Sequence, residues 1–367
     1  MTRKAGIIAI ILLSEVFTFL ICRQIFLGLL HHPGFALPSD LNTFRWEGGQ
    51  LGRHPVASTG AIGLWLYPPP FLLLAAPLSW LPPILCYLLW TLAGILAMAI
   101  AGRVIGAAWP VILLGLLAPA SIYCLVIGQV SEIASALLLI SLALAPAAPI
   151  LAGVFAGVLV LKPQFAILVP VCFLASRNWR AILSAGVTAM LLCLISALLF
   201  GLRPWAVFFT QQPHLAAQFI NRPWPQNDEY IMVSSFTLMR SLGAALHPAY
   251  AAQSLSTMAA VAATWRLWRS PRDPALRLAV TLCLLPLASP YVYLYDLPAL
   301  AMALVFFCAD RGGRNLAGLA MFWAVTGAYM AISMRICSLG AAMLLLLTLS
   351  MFTDKVARQN KELECYW

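Results

Sequence analysis

The chain has 367 residues, of which 62% are hydrophobic and only 9% charged, with a formal net charge of +10. Apolar runs that can cross a hydrocarbon layer of about 30 Å, which takes roughly 20 helical residues, recur along its length. They predict an all-α integral membrane protein: the short alternating segments of an outer-membrane barrel are absent, and a bilayer admits only helices or closed barrels.

The first apolar run, Gly6 to Leu30, follows the basic start MTRK. It is too long for a signal-peptide core and lacks a small-residue cleavage site, so it reads as an uncleaved span. A polar interval from Leu37 to Trp65 follows, bringing Asp40, Arg45, Glu47, Arg53 and His54 together in a chain poor in charge. Ionisable residues at that density in a membrane protein mark a functional site. Tyr67 to Trp80 opens on a run of prolines and is short for a crossing, so it reads as a re-entrant or interfacial helix.

Further spans over roughly 83–102, 107–126, 130–146, 150–161, 164–176, 180–201, 248–267, 276–290, 293–309, 315–332 and 336–353 complete a polytopic helical bundle of about 12 spans. The spans at 150–161 and 164–176 are separated at Lys162-Pro163-Gln164. This gives one transmembrane domain over residues 1–353, a short inner tail over 354–367, and two outer segments, 30–82 and 202–247. The second outer segment is predicted as an ordered loop on the membrane. From Tyr230 onward, Ile231, Val233, Phe236, Leu238 and Leu242 predict a short surface helix within it.

With the N-terminus inside, most Lys and Arg fall in compact inner clusters, as the positive-inside rule requires. Arg23, Arg45, Arg53, Lys162, Arg203, Arg222, Arg240 and Arg335 fall at or near the outer face, as do His31, His32, His54, His214 and His247. Clusters between spans are a topology signal and leave no basic face for nucleic acid. The nine cysteines lie singly with no CxxC, as small core hydrophobes do.

Asp40 in the loop after the first span, Tyr67-Pro68-Pro69, Gly128-Gln129, Lys162-Pro163, the Ser235 segment ending Arg240-Ser241-Leu242-Gly243, and Ser289-Pro290 with Tyr295-Asp296-Leu297 occur in order. Together they resemble glycosyltransferase family 87, polytopic enzymes of the GT-C class that use polyprenyl-phosphate sugars. Val130 departs from the pattern, since several relatives carry Asn there. The resemblance implies a GT-C fold whose two outer segments form a cavity at the membrane surface, with an Asp of the first loop as catalytic base, here Asp40. It implies a hexose donor, mannose above others, on a polyprenyl phosphate. It further implies a lipid or cell-envelope glycan as acceptor, and an enzyme in the inner or plasma membrane with its active site on the outer, periplasmic side.

The residues fit that chemistry and leave alternatives open. Asp40 either caps the helix beginning LNTFRWEGG or takes the acceptor's proton. Lys162 interrupts two apolar segments and either snorkels to the interface or meets the donor phosphate. Arg203, Arg222 and Arg240 are candidates for the phosphate too, or anchor loops and headgroups. Glu47 pairs with Arg45 at the surface or binds the acceptor. Gln129 and Glu132, three residues apart, share a helix face and either bind sugar hydroxyls or tie helices together. Tyr67 and Asp296 complete the sugar-binding candidates, Asp296 beside tyrosines that equally suit an interface belt. A single displacement with one carboxylate base would invert a β-linked donor to an α-glycoside.

No DxD, HExxH, Walker or GxGxxG motif is present, so no cofactor and no metal site is implied. The competing function is a lipid-linked sugar flippase or secondary transporter, although the ionisable residues gather at one face rather than at the bilayer midplane. A noncatalytic assembly factor is a third reading.

Overall fold

The computed structural model describes residues 3–30, 38–53, 66–225, 230–313 and 315–351. His31, His32, His54 and the tail 354–367 lie outside these, as does the side chain of Arg53. In chain order the α-helices are α1 (Arg3–Leu30), α2 (Ser39–Arg53), α3 (Leu72–Leu78), α4 (Pro83–Val104), α5 (Trp109–Leu116), α6 (Pro119–Ile127), α7 (Ser131–Leu144), α8 (Pro149–Val158) and α9 (Val169–Ala175). They continue with α10 (Trp179–Phe200), α11 (Arg203–Ile220), α12 (Ser235–Ser241), α13 (Leu246–Arg269), α14 (Pro274–Leu287), α15 (Pro298–Asp310) and α16 (Leu316–Arg335). A last apolar helix runs Gly340–Met351. Among the described residues there is no strand beyond one isolated bridge, Met232 to Tyr293.

Many helices begin at proline, whose missing N–H and fixed φ suit the first turn; α4, α5, α8, α9, α11, α14 and α15 all carry Pro there. Among the described residues three helices, α4, α10 and α16, are each long and apolar enough to cross a membrane, and α5 with α6 forms a bent pair at 58° that passes together. Shorter apolar helices fill most of the remaining predicted spans. Lys162 interrupts the helical path with φ −143° and ψ 77°, between 3-10 turns Leu159–Leu161 and Pro163–Ala166, where the sequence predicts a break.

The second outer segment differs from its prediction: residues 203–220 form helix α11, not a loop. Proline at its start and an apolar stripe through Trp205, Phe208 and Ala216 favour helix, and internal Pro213 is tolerated. The short helix near 230 also starts later than its apolar pattern. Ile231 in a 3-10 turn, Met232 in the isolated bridge and Val233 are all buried, and Ser234 caps α12 by accepting from Thr237 N.

The helices pack as two compact units. One comprises residues 21–105 and 123–223, the other 1–20, 106–122 and 224–367. In the first, α8 meets α10 through Gly153 and Gly157, spaced as a small-xxx-small pair. A Cβ on Gly153 would lie 2.2 Å from Ala181 O, so only glycine permits that approach. The other face of α10 is apolar and open: 6% of its hydrophobic window is buried, with Leu183, Met190 and Leu198 outward, as suits a lipid-facing helix. In the second unit α14 and α15 are buried nearly all round. The described cysteines are all free, most of them buried.

Candidate active site

The first unit seats α2 on close backbone approaches. A Cβ on Gly48 would fall 2.4 Å from the Ala75 carbonyl, and one on Gly49 2.9 Å from Ser79 Cβ, so α2 lies directly against α3. At its other end Leu41 covers Gly128, where a Cβ would stand 2.6 Å from Leu41 Cβ. Gly128 also has φ +71°, a conformation that costs any residue with a Cβ. Phe44 fills the space between, with ring centroids 5.1 Å from Tyr67, 4.9 Å from Phe71 and 6.0 Å from Trp90. Arg45 donates through Nε and Nη2 to Leu81 O.

This seating carries Asp40 to the Gly128-Gln129 turn. Gln129 Nε2 donates to Asp40 Oδ2 at 2.7 Å. On its other side Gln129 Oε1 accepts from Tyr67 Oη at 2.7 Å and from Val130 N at 2.8 Å. Asp40 lies inside the first turn of α2, where the helix dipole favours a carboxylate. Two residues beyond Gln129, Ser131 Oγ accepts from Lys162 Nζ, and Lys162 is 2% exposed. Residues 129 and 131 are at most ~7 Å apart along the chain, so a carboxylate and an ammonium are bound to one short turn. The ammonium also lies 5.2 Å from the Phe165 ring centroid. Its burial rules out snorkelling.

Glu132 is buried in the first turn of α7, and Gly94 of α4 makes room for it, since a Cβ there would lie 3.2 Å from Glu132 Cβ. Gln129 stands before that helix, so the two do not share a helix face as their spacing predicts. Beside the Lys162 break an apolar cavity of about 360 Å³ is lined by Gly157, Pro163, Ala166, Pro170, Ala185 and Gly186 among others.

The family model described as Glycosyltransferase family 87 matches residues 65–290, more than half of the chain. The chain belongs to glycosyltransferase family 87. It is therefore a membrane enzyme that transfers a glycosyl group from a sugar donor to an acceptor. No curated protein and no solved structure matches it. Four of the family-like pieces, Asp40, Tyr67-Pro68-Pro69, Gly128-Gln129 and Lys162-Pro163, meet in one unit. Asp40 precedes the stretch matched by the family model, and its hydrogen bond to Gln129 ties it to that stretch.

The remaining candidates divide. Glu47 is buried, at 6% exposed, rather than at the surface, and Arg45 donates to Leu81 O. Arg203 starts α11 and is exposed, whereas Arg222 follows its end and is half-buried. Arg240 and Asp296 belong to the second unit. There Arg240 Nη1 donates to Ala244 O at 2.7 Å, closing the end of α12. Asp296, buried, accepts from Tyr293 N at 3.1 Å in a reciprocal cap of the Leu294–Asp296 turn. Val233 N donates to Val292 O at 2.9 Å, joining the Ser235 segment to the tyrosine segment, and Tyr329 Oη donates to Met232 O behind it.

Sequence reasoning missed two sets of contacts: the bonds of Tyr67 and Asp40 to Gln129, and that of Lys162 to Ser131. Spacing along the chain carries no signal for contacts 62 and 89 residues apart. Tyr293-x-x-Asp296 does carry one, a cap spacing visible in the sequence. Among the described residues no group of three or more His, Cys, Asp or Glu side chains gathers as a metal site.

Proposed function

We propose that this family 87 enzyme takes a hexose, most favourably mannose, from a polyprenyl phosphate and transfers it on the outer face to a lipid or cell-envelope glycan. Asp40 is the general base of a single displacement. Its carboxylate accepts the acceptor hydroxyl's proton as that oxygen bonds to the anomeric carbon, and the bond from that carbon to the phosphate oxygen breaks. The phosphate leaves with the bonding electron pair. With a β-linked donor the product is an α-glycoside.

The observation that carries this reading is the turn Gln129–Ser131, which holds Asp40 by one residue and Lys162 by another. A carboxylate suits the base, and a departing phosphate is stabilised by nearby positive charge. Lys162 supplies that charge, with Arg203 and Arg222 as further phosphate partners. Glu47 and Glu132 serve the sugar and acceptor. The apolar cavity beside Lys162 supports a donor with an isoprenoid tail.

The test incubates purified protein in lipid with labelled polyprenyl-phosphate mannose and a cell-envelope extract. Label should pass into a new glycolipid, and Asp40→Asn should lower the rate by roughly 100-fold or more, the loss expected for general-base catalysis, with donor binding kept. Transfer at the parent rate by Asp40→Asn would refute the base assignment. Labelled donor crossing the bilayer without transfer would favour the flippase.

A further inference from the structure

The Gln129 side chain has one arrangement that satisfies its neighbours. The Val130 N–H can only donate, and it points at Gln129 Oε1 from 2.8 Å. Tyr67 Oη meets the same oxygen at 2.7 Å. Reversing the amide would set the Val130 N–H against an NH2 group, so Gln129 must present Nε2 to Asp40. Gln129 is 5% exposed, and Tyr67 is clamped by stacking on Phe71 at 4.4 Å and by the edge contact with Phe44 at 5.1 Å. The donor facing Asp40 is thus fixed in place and in polarity before any substrate arrives.

We infer that Tyr67 and Gln129 are positioning residues for the base rather than sugar contacts, with Tyr67 acting through Gln129. This rests on the reading of Asp40 as base. A fixed N–H on Oδ2 has two consequences. It stabilises the ionised carboxylate, which is the form able to accept a proton. It also holds the carboxylate in one orientation on the Gln129 turn, so the base is placed before the acceptor arrives. The Tyr-Pro-Pro and Gly-Gln pieces then serve one carboxylate.

The experiment measures initial rates against donor concentration and pH for Tyr67→Phe, Gln129→Leu and the double variant, with Asp40→Asn alongside. Gln129→Leu should lower kcat roughly 10- to 100-fold, the cost of losing a group that orients a reacting one, with little change in donor KM. The acid limb of its pH profile should move to higher pH, because the carboxylate has lost its donor. Tyr67→Phe should cost about 3- to 10-fold, the worth of one hydrogen bond, with the same displacement of the acid limb in smaller measure.

Because Tyr67 acts through Gln129, the double variant should be no slower than Gln129→Leu alone. Additive losses, or losses confined to KM, would overturn the inference in favour of direct sugar contacts. Parent rates and pH profiles in both single variants, with Asp40→Asn inactive, would overturn it and leave the base assignment standing. An active Asp40→Asn would remove the base assignment and this inference together. Tyr67→Phe removes one oxygen from a half-buried ring, so it keeps the test decisive if Gln129→Leu does not fold.

Discussion

Gly128→Ala probes the seat of Asp40 without touching Asp40 or any atom of its hydrogen bonds. The new Cβ would stand 2.6 Å from Leu41 Cβ. Carbon atoms rest at about 3.5–4.0 Å, so Leu41 must retreat by about 1 Å. Leu41 is the residue after Asp40 in the first turn of α2, and it cannot retreat alone. Gly128 also holds φ +71°, and a residue with a Cβ pays about 1–2 kcal/mol there. With the overlap, stability should fall by about 2–4 kcal/mol, read as a lower Tm in lipid. A base displaced by about 1 Å costs on the order of 100-fold in rate. Gly201→Ala is the control for backbone strain without a clash: φ is +78° with ψ 179°, a region held almost only by glycine, and nothing lies within 4 Å of the added carbon. It should lower Tm and leave the rate per folded molecule unchanged. Label transfer normalised to folded protein decides the matter. Equal rates for Gly128→Ala and Gly201→Ala would refute the claim that Leu41 on Gly128 places the base.

Three further outcomes are expected. Lys162→Ala should raise the donor KM more than the acceptor KM if the ammonium on Ser131 serves the phosphate, and donor titrations that match the parent would assign Lys162 to helix packing alone. Reporter fusions near Arg180, Arg269 and Arg311 should read inside and those near Arg53 and Arg222 outside; an outside signal at Arg180 with an inside signal at Arg53 would reverse the topology. Burial, with Tyr250 nearby, pushes the Tyr291 phenol up from 10.0 to about 12. The unfolded chain therefore releases this proton first as the pH rises, so the contribution of Tyr291 is intact below pH 10 and is lost as the pH rises through about 12. Tyr291→Phe should flatten the alkaline fall in Tm between those values, and an unchanged fall would place its cause elsewhere.

The helical frame was legible because a bilayer leaves so few alternatives. Run length located α1, α4 and α10 closely, and the charge and proline at Lys162-Pro163 marked the interruption between α8 and α9. Helix α11 was missed because Gln211, Gln212 and Pro213 sit mid-helix and weaken its apolar period. The burial of Glu47 was not legible because nothing local shows that α2 presses on α3; the glycines beside it were the available cue. The partners of Asp40 were illegible for a different reason. They are set by where α2 docks, a tertiary contact that leaves no trace in spacing. Asp296 shows the converse, since its cap spans three residues and could be read directly.

The distance along the chain between Asp40 and Gln129 also bears on biogenesis. The carboxylate leaves the ribosome 89 residues ahead of the amide that receives it. At 5–20 residues per second that is a delay of about 4–18 s, during which α3 can already cover the Gly48-Gly49 end of α2 while its Leu41 end has no seat and Asp40 no amide partner. The start of α2 is therefore left to the insertion machinery or the lipid surface until the Gly128-Gln129 turn is made. A chain arrested before that turn would be embedded in the membrane and inert.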